Sequence, residues 1–149
     1  MTTISSFLTS DHRHCDDCFD EVAAAVASHQ WETARACFLQ FSDDLEHHLA
    51  REEQVLFPAF ESATGIVSGP TSVMRSEHQH IRGLLVQLKD TLGAEDANAF
   101  LGHTDTLNIM MQQHNLKEET MLYKMADRVL CASAGEVLGA MRGVDPLPH

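Results

Sequence analysis

The stretch His48-Leu-Ala-Arg-Glu52 returns as His114-Asn-Leu-Lys-Glu118, an offset of 66 residues (114 minus 48), and this pair of motifs constrains the chain more than anything else in it. Four residues along an α-helix is close to one turn and about 6 Å of rise, so each imidazole stands over its own carboxylate on one face. A single HxxxE reads as readily as a solvated His/Glu contact. Two copies, each with a histidine upstream at the same distance, read as a metal-ligand arrangement. The same offset of 66 relates His12 to His78, His14 to His80, Asp11 to Glu77, Glu53 to Glu119, Leu56 to Leu122 and Phe57 to Tyr123. A repeat of this kind predicts two helical hairpins that present similar half-sites to one another across a pseudo-twofold axis, each able to hold one metal.

Hydrophobic periodicity supplies the helices. Apolar positions recur at spacings of three and four after Ser10 or Asp11, where a cap would open a first helix running to about residue 28. A second helix is predicted over 31–63, ending near Gly65, with Cys37, Phe38, Phe41, Leu45, His48, Glu52 and Val55 inward and, because Pro58 sits inside it, a kink or early stop just after the motif. Gly65 to Thr71 reads as the connection between the halves. A third helix follows over 71–92, with Met74, His78, Ile81, Leu85 and Leu88 inward. A fourth over 97–130 carries Phe100, Leu107, Met111, His114, Glu118, Met121 or Leu122, and Met125. Ser133 with Glu136 forms a capping-box pattern that opens a short last helix before a Gly143-Val-Asp-Pro tail. The expected fold is all-α: one domain over 1–149, an up-down four-helix bundle with a short C-terminal helix and an internal two-hairpin repeat.

Ten histidines have to be sorted. Seven residues beyond His12 and His78 stand Phe19 and Leu85, whereas seven beyond His14 and His80 stand Glu21 and Gln87, so His12 and His78 face the core. His14 and His80 lie about 200° around the helix and are expected at the surface or behind the ligands. His47 points away from the ligand face. His103 is about 16 Å along the axis from His114, too far to share a metal. Cys15-Asp-Asp-Cys18 has the CxxC spacing but lies within a helix, without the strand context of a redox fold. The four cysteines are read as reduced.

Ten Lys and Arg against 22 Asp and Glu give a formal charge of −12, which disfavours nucleic acid and anionic membranes as direct partners. No stretch approaches the roughly 18 apolar residues of a membrane span, and the N-terminus lacks a basic and an apolar signal region. A cytoplasmic location is the expectation. No independent nucleophile, general base or nucleotide motif assigns an enzyme activity.

The ordered set Asp11-His12, HLARE at 48–52, Glu77-His78 and HNLKE at 114–118 resembles the hemerythrin-like (HHE cation-binding) family over about residues 8–125. The resemblance implies two non-haem irons, His12 and His48 on one, His78 and His114 on the other, bridged by Glu52 and Glu118 and by an oxo or hydroxo group. Zinc and manganese suit the same donors. Oxygen-carrying hemerythrins resemble this pattern with a fifth histidine one turn before the third-helix ligand; here Met74 stands there, and Leu8 is its repeat mate. Two coordination positions would then stay open, available to water, to His14, His80 or Glu53 after adjustment, or to a substrate. A more reactive or labile site than a reversible carrier is implied. Its occupant would be oxygen, nitric oxide or peroxide, for sensing, storage or detoxification, with Leu85, Met111, Met121 and Met125 among candidate dry walls. An iron donor for iron-centre repair, or an iron-dependent regulatory module with a protein partner, is the alternative.

Overall fold

Thr3 opens the first helix two turns earlier than Ser10 would: its hydroxyl accepts from the Ser6 amide, and the Ser6 hydroxyl accepts from the Thr3 amide, both at 2.9 Å. This reciprocal cap satisfies two amides that would otherwise be orphaned at the helix start. In the computed structural model, which describes residues 2–145, α1 then runs Ile4–Ala27 and α2 Trp31–Arg51. After a π-helical turn at Glu52–Leu56 come α3 Phe57–Thr64 and α4 Pro70–Gly93. The second hairpin continues with α5 Ala97–Lys117, a π-helical turn at Glu118–Leu122 and α6 Tyr123–Val129. A single 3-10 turn at Cys131–Ser133 leads into α7 Ala134–Arg142. Pro146, part of the expected tail, lies outside the described residues.

The repeat extends from side chains to backbone. α1 and α4 have 24 residues each and α2 and α5 have 21 each, with starts 66 residues apart (70 minus 4, 97 minus 31). The tight turns match as well: His29 and Glu95 both adopt the left-handed conformation, at φ 56° and 54°. The helices pack in a ring, α1 on α2, α2 on α4, α4 on α5 and α5 on α1, which is the expected up-down bundle. Gly65, at φ 72°, ends α3 in the left-handed geometry that glycine adopts without a Cβ penalty.

The π-turns correct two readings. The Phe57 amide bonds back to the Glu52 carbonyl and the Tyr123 amide to the Glu118 carbonyl, a five-residue step in place of four. Each turn therefore accommodates one extra residue, and the inward face moves on by one position. Leu56 is buried where straight periodicity points to Val55, and of the two candidates Met121 and Leu122 it is Leu122 that is buried, Met121 being 59% exposed. Met121 is therefore no dry wall of the site. The local distortion falls just after the motif, as expected, and does not end the helix. Its counterpart in the second half has Lys124 in place of proline, so proline is not its cause.

α7 packs on the bundle itself, against α1 and the first π-turn, with Val137, Leu138 and Met141 buried. Arg51 Nε donates to the Met141 carbonyl at 3.2 Å, and His47 Nε2 donates to the Val144 carbonyl at 2.8 Å. The Ser133 side chain gives no cap to an α7 amide; it donates instead to the Leu130 carbonyl, because the 3-10 turn precedes the helix. Two apolar clusters fill the bundle. One, around Phe19, Phe38, Phe41, Phe100 and Leu107, occupies the end with the tight turns. The other, around Ile4, Leu8, Phe57, Phe60, Met74 and Leu122, occupies the end covered by α7. The histidines and glutamates of the motifs form the layer between them.

Candidate metal centre

His12, His48, Glu52, His78, His114 and Glu118 are each no more than 2% exposed. The sequence periodicity brings them to this layer: His12 follows Leu8 and precedes Cys15 on the α1 stripe, and His78 lies between Met74 and Ile81 on α4. Ligand atoms of Glu52, His78, His114 and Glu118 lie close enough together to hold one ion, as do those of His12, His48 and Glu118. The pairing of His12 with His48 and of His78 with His114 is thus the geometric one; their ring centroids are 4.7 and 5.1 Å apart. Glu52 also approaches the first pair, with Oε1 3.3 Å from His48 Nε2.

Each imidazole is oriented from behind by a carboxylate. His12 Nδ1 donates to Glu119 at 2.7 Å and His48 Nδ1 to Asp11 at 3.0 Å. His78 Nδ1 donates to Glu53 at 2.6 Å and His114 Nδ1 to Glu77 at 2.8 Å. The four carboxylates obey the offset of 66, so the twofold character reaches the groups behind the ligands. A cation steadies each of them: Arg13 on Glu119, Arg51 on Asp11, Arg82 on Glu53 and Lys117 on Glu77. A proton fixed on Nδ1 leaves the Nε2 lone pair directed into the bundle, the form that ligates metal.

The inward atoms are short of partners. His48 Nε2, His78 Nε2, His114 Nε2, Glu52 Oε1 and Glu118 Oε2 are buried without a hydrogen bond. His78 Nε2 lies 3.2 Å from Glu52 Oε1, and His114 Nε2 3.2 Å from Glu118 Oε1, yet neither contact is aligned as a hydrogen bond. Orphaned polar atoms of this kind cost roughly 1–3 kcal/mol each, so five gathered in the layer where two groups of ligand atoms meet fit bound cations rather than a plain core. Nitrogen and carboxylate oxygen donors fit iron, manganese and zinc.

Protons partly fill that role in the cation-free centre. Burial lowers the basicity of His48, but the charges of Glu52 and Glu118 and the bond to Asp11 outweigh it, holding the group at about 10. His78 is raised to about 9 against the same burial, chiefly through Glu52 and Glu53. His114 is raised too, and Glu52 is held well below the usual carboxylate range by His48 despite desolvation. Glu53, although half-buried, is lowered to about 2 by His78 and Arg82.

The centre holds one group that the motifs do not reveal. The Tyr123 hydroxyl, fully buried, lies 2.7 Å from Glu52 Oε2, 3.0 Å from Glu118 Oε1 and 3.1 Å from His12 Nε2. Its single proton goes to Glu52, the shortest contact. Phe57 occupies the equivalent place in the other half and stacks on His78 at 5.5 Å, as Tyr123 stacks on His12 at 5.6 Å. The Phe57/Tyr123 match was the only signal, and counting across the π-turn is needed to turn it inward. His14 and His80 are exposed and are absent from the two buried groups of ligand atoms, and Glu53 is committed to His78 and Arg82. None of the three points inward. Met74 and Leu8 are buried in the adjoining apolar cluster, so the level one turn beyond the histidines is dry in both halves.

An antiparallel helical bundle with a buried four-histidine, two-carboxylate layer defines a class of cation-binding protein. The hemerythrin HHE cation-binding domain model matches residues 3–126, and the chain belongs to that family. An uncharacterized hemerythrin-like protein of Schizosaccharomyces pombe is 29% identical over 120 residues, 80% of this chain and 57% of that protein. The iron-sulfur cluster repair protein YtfE of Escherichia coli is 42% identical over 50 residues, 33% of this chain and 23% of that protein. The chain thus spans little more than half of the first relative and under a quarter of the second. No solved structure matches. Among the described residues, no helix is long and apolar enough to cross a membrane.

Proposed function

We propose that this chain is a non-haem di-iron protein that takes oxygen, nitric oxide or peroxide at the layer between its two apolar clusters. The observation that carries the reading is the set of inward-facing Nε2 and carboxylate oxygen atoms left without partners. His12 and His48 would hold one iron, His78 and His114 the other, with Glu52 and Glu118 spanning both. The bound irons supply electron transfer and Lewis acidity towards a small ligand. The chain's own residues do the rest. Asp11, Glu53, Glu77 and Glu119 fix the imidazole tautomers, and Arg13, Arg51, Arg82 and Lys117 pair with those carboxylates and hold them in place. Met74, Leu8, Phe57 and Leu122 exclude water from one side. Tyr123 holds a proton at its hydroxyl within reach of Glu52 and Glu118, where it can donate a hydrogen bond to a ligand entering from that half.

Anaerobic iron loading followed by metal analysis and exposure to oxygen and to nitric oxide tests this. About two irons per chain and a ligand-specific change in the visible spectrum are expected. Bound iron that leaves the spectrum unchanged with either gas would refute the reading.

A second reading rests on the 50-residue similarity to a protein whose name is iron-sulfur cluster repair. In that reading the chain donates iron to a damaged centre on a protein partner. Transfer of labelled iron from the loaded chain to an iron-depleted iron-sulfur protein would favour it. Retention by the chain would favour the first reading.

A further inference from the structure

A second group of metal-ligating side chains lies on the outer face of α1 and α2. His14 and Cys18 stand one turn apart on α1, and Asp44 reaches them from α2, one turn before His48. His14 Nε2 lies 2.7 Å from Asp44 Oδ2, Cys18 Sγ 3.7 Å from His14 Nε2, and Cys18 Sγ 3.8 Å from Asp44 Oδ2. The Gln40 amide donates to the other oxygen of Asp44 at 2.9 Å, which holds Oδ2 towards the pair. Three different donors from two helices therefore converge at a place open to solvent, where His14 is exposed and Cys18 and Asp44 are partly so.

The spacing can be compared with what a tetrahedral ion requires. Zn–S and Zn–N bonds of ordinary length place a thiolate sulfur about 3.5 Å from each neighbouring nitrogen or oxygen ligand, and nitrogen and oxygen about 3.3 Å apart. Both sulfur distances here are already within a few tenths of an ångström of that value. Only the His14–Asp44 separation has to open, by about 0.6 Å, when an ion replaces the proton between them.

The repeat shows that this trio is not a by-product of the duplicated scaffold. The offset of 66 places His80, Leu84 and Met110 in the corresponding positions of the second half. Those three residues line one shallow surface cavity with Gly83, Gln87 and Thr106, so the same location on α4 and α5 offers an imidazole among apolar neighbours. The full trio of donors occurs in one half alone, His80 being the one donor retained of the three in the other. The thiol also sits in a field that attracts cations: beyond partial burial, Asp44, Glu21 and Asp17 are the groups that raise Cys18. A metal removes the thiol proton as it binds, and those carboxylates then stabilise the ion.

We propose that His14, Cys18 and Asp44 form a second, solvent-facing cation site that takes a borderline-soft divalent transition metal such as Zn2+ or Co2+, with a fourth position open to water. It is separate from the buried centre: His14 points about 200° around α1 from His12. Its donor set includes sulfur, which the buried centre lacks.

The test is anaerobic titration with Co2+ of the full chain, already loaded with iron at its buried centre. A sulfur-to-cobalt charge-transfer band that rises to one equivalent is expected. Cys18→Ser should abolish it, and His14→Ala or Asp44→Asn should weaken cobalt binding at least about tenfold. Cys131→Ser, at the exposed cysteine elsewhere in the chain, should leave the band intact. These positions are at the surface, and circular dichroism of each variant verifies the fold. No band, or a band that survives Cys18→Ser, overturns the proposal.

Discussion

Removing the Tyr123 hydroxyl is a clean perturbation, because the protein already shows that a phenyl ring fits. Phe57 occupies the equivalent position, so Tyr123→Phe should leave packing unchanged. What disappears is the 2.7 Å hydrogen bond to Glu52 Oε2, together with the 3.0 Å contact to Glu118. Glu52 Oε1 already lacks a partner, so the variant leaves a fully buried carboxylate with neither oxygen hydrogen-bonded by the hydroxyl. A hydrogen bond to a charged group contributes about 1.5–3 kcal/mol. For a domain of this size that corresponds to a fall in melting temperature of roughly 3–12 °C. Urea unfolding of the metal-free protein at neutral pH would measure it, with an unchanged m-value to show that the denatured state is unaltered. In the metal-loaded protein the loss should be smaller, since a cation neutralises Glu52. A metal-free variant within about 0.5 kcal/mol of the parent would refute the role given to Tyr123, as would one of higher stability.

Further expectations follow from the same geometry. With His48 at about 10 and His78 at about 9, both above the ordinary 6.5, their contribution to metal-free stability is complete below pH 6.5. It is lost progressively as pH rises from about 6.5 through the folded values of about 9 and 10, so the urea midpoint should decline across that range; a midpoint that climbs there would contradict the proton placement. Glu53→Gln removes the carboxylate behind His78 and should weaken metal binding in that half by about ten- to a hundredfold, read by competition with a chelator. Pro58→Ala should leave the metal content unchanged and alter stability by less than about 1 kcal/mol, because the second π-turn forms without a proline. A large loss of metal in that variant would show that the proline shapes the site after all.

Much of this architecture was legible because the repeat is periodic in both senses. The offset of 66 fixed the pairing of His12 with His78 and of His48 with His114, and the seven-residue test separated them from His14 and His80. The helical hairpins and the connection at Gly65 follow from apolar spacing and glycine chemistry. What stayed hidden depends on backbone detail that a uniform helical period does not carry. The π-turns move the buried position from Val55 to Leu56, decide between Met121 and Leu122 in favour of Leu122, and bring Tyr123 onto Glu52. The start of α1 was misplaced because Thr3 and Ser6 form the cap that Ser10 and Asp11 only resemble. Asp11 has other work: it orients His48 across the helix interface. Likewise Ser133 and Glu136 have the spacing of a capping box, but the 3-10 turn before them removes the geometry it needs.

The central claim is that the two HxxxE motifs are the two halves of one metal centre. Metal analysis of anaerobically iron-loaded protein, parent against the double variant His48→Ala with His114→Ala, addresses it most directly. Far-ultraviolet circular dichroism of both proteins accompanies the measurement and verifies that the helices are retained. About two irons per parent chain and almost none in the folded double variant are expected. Full iron content in that variant would contradict it.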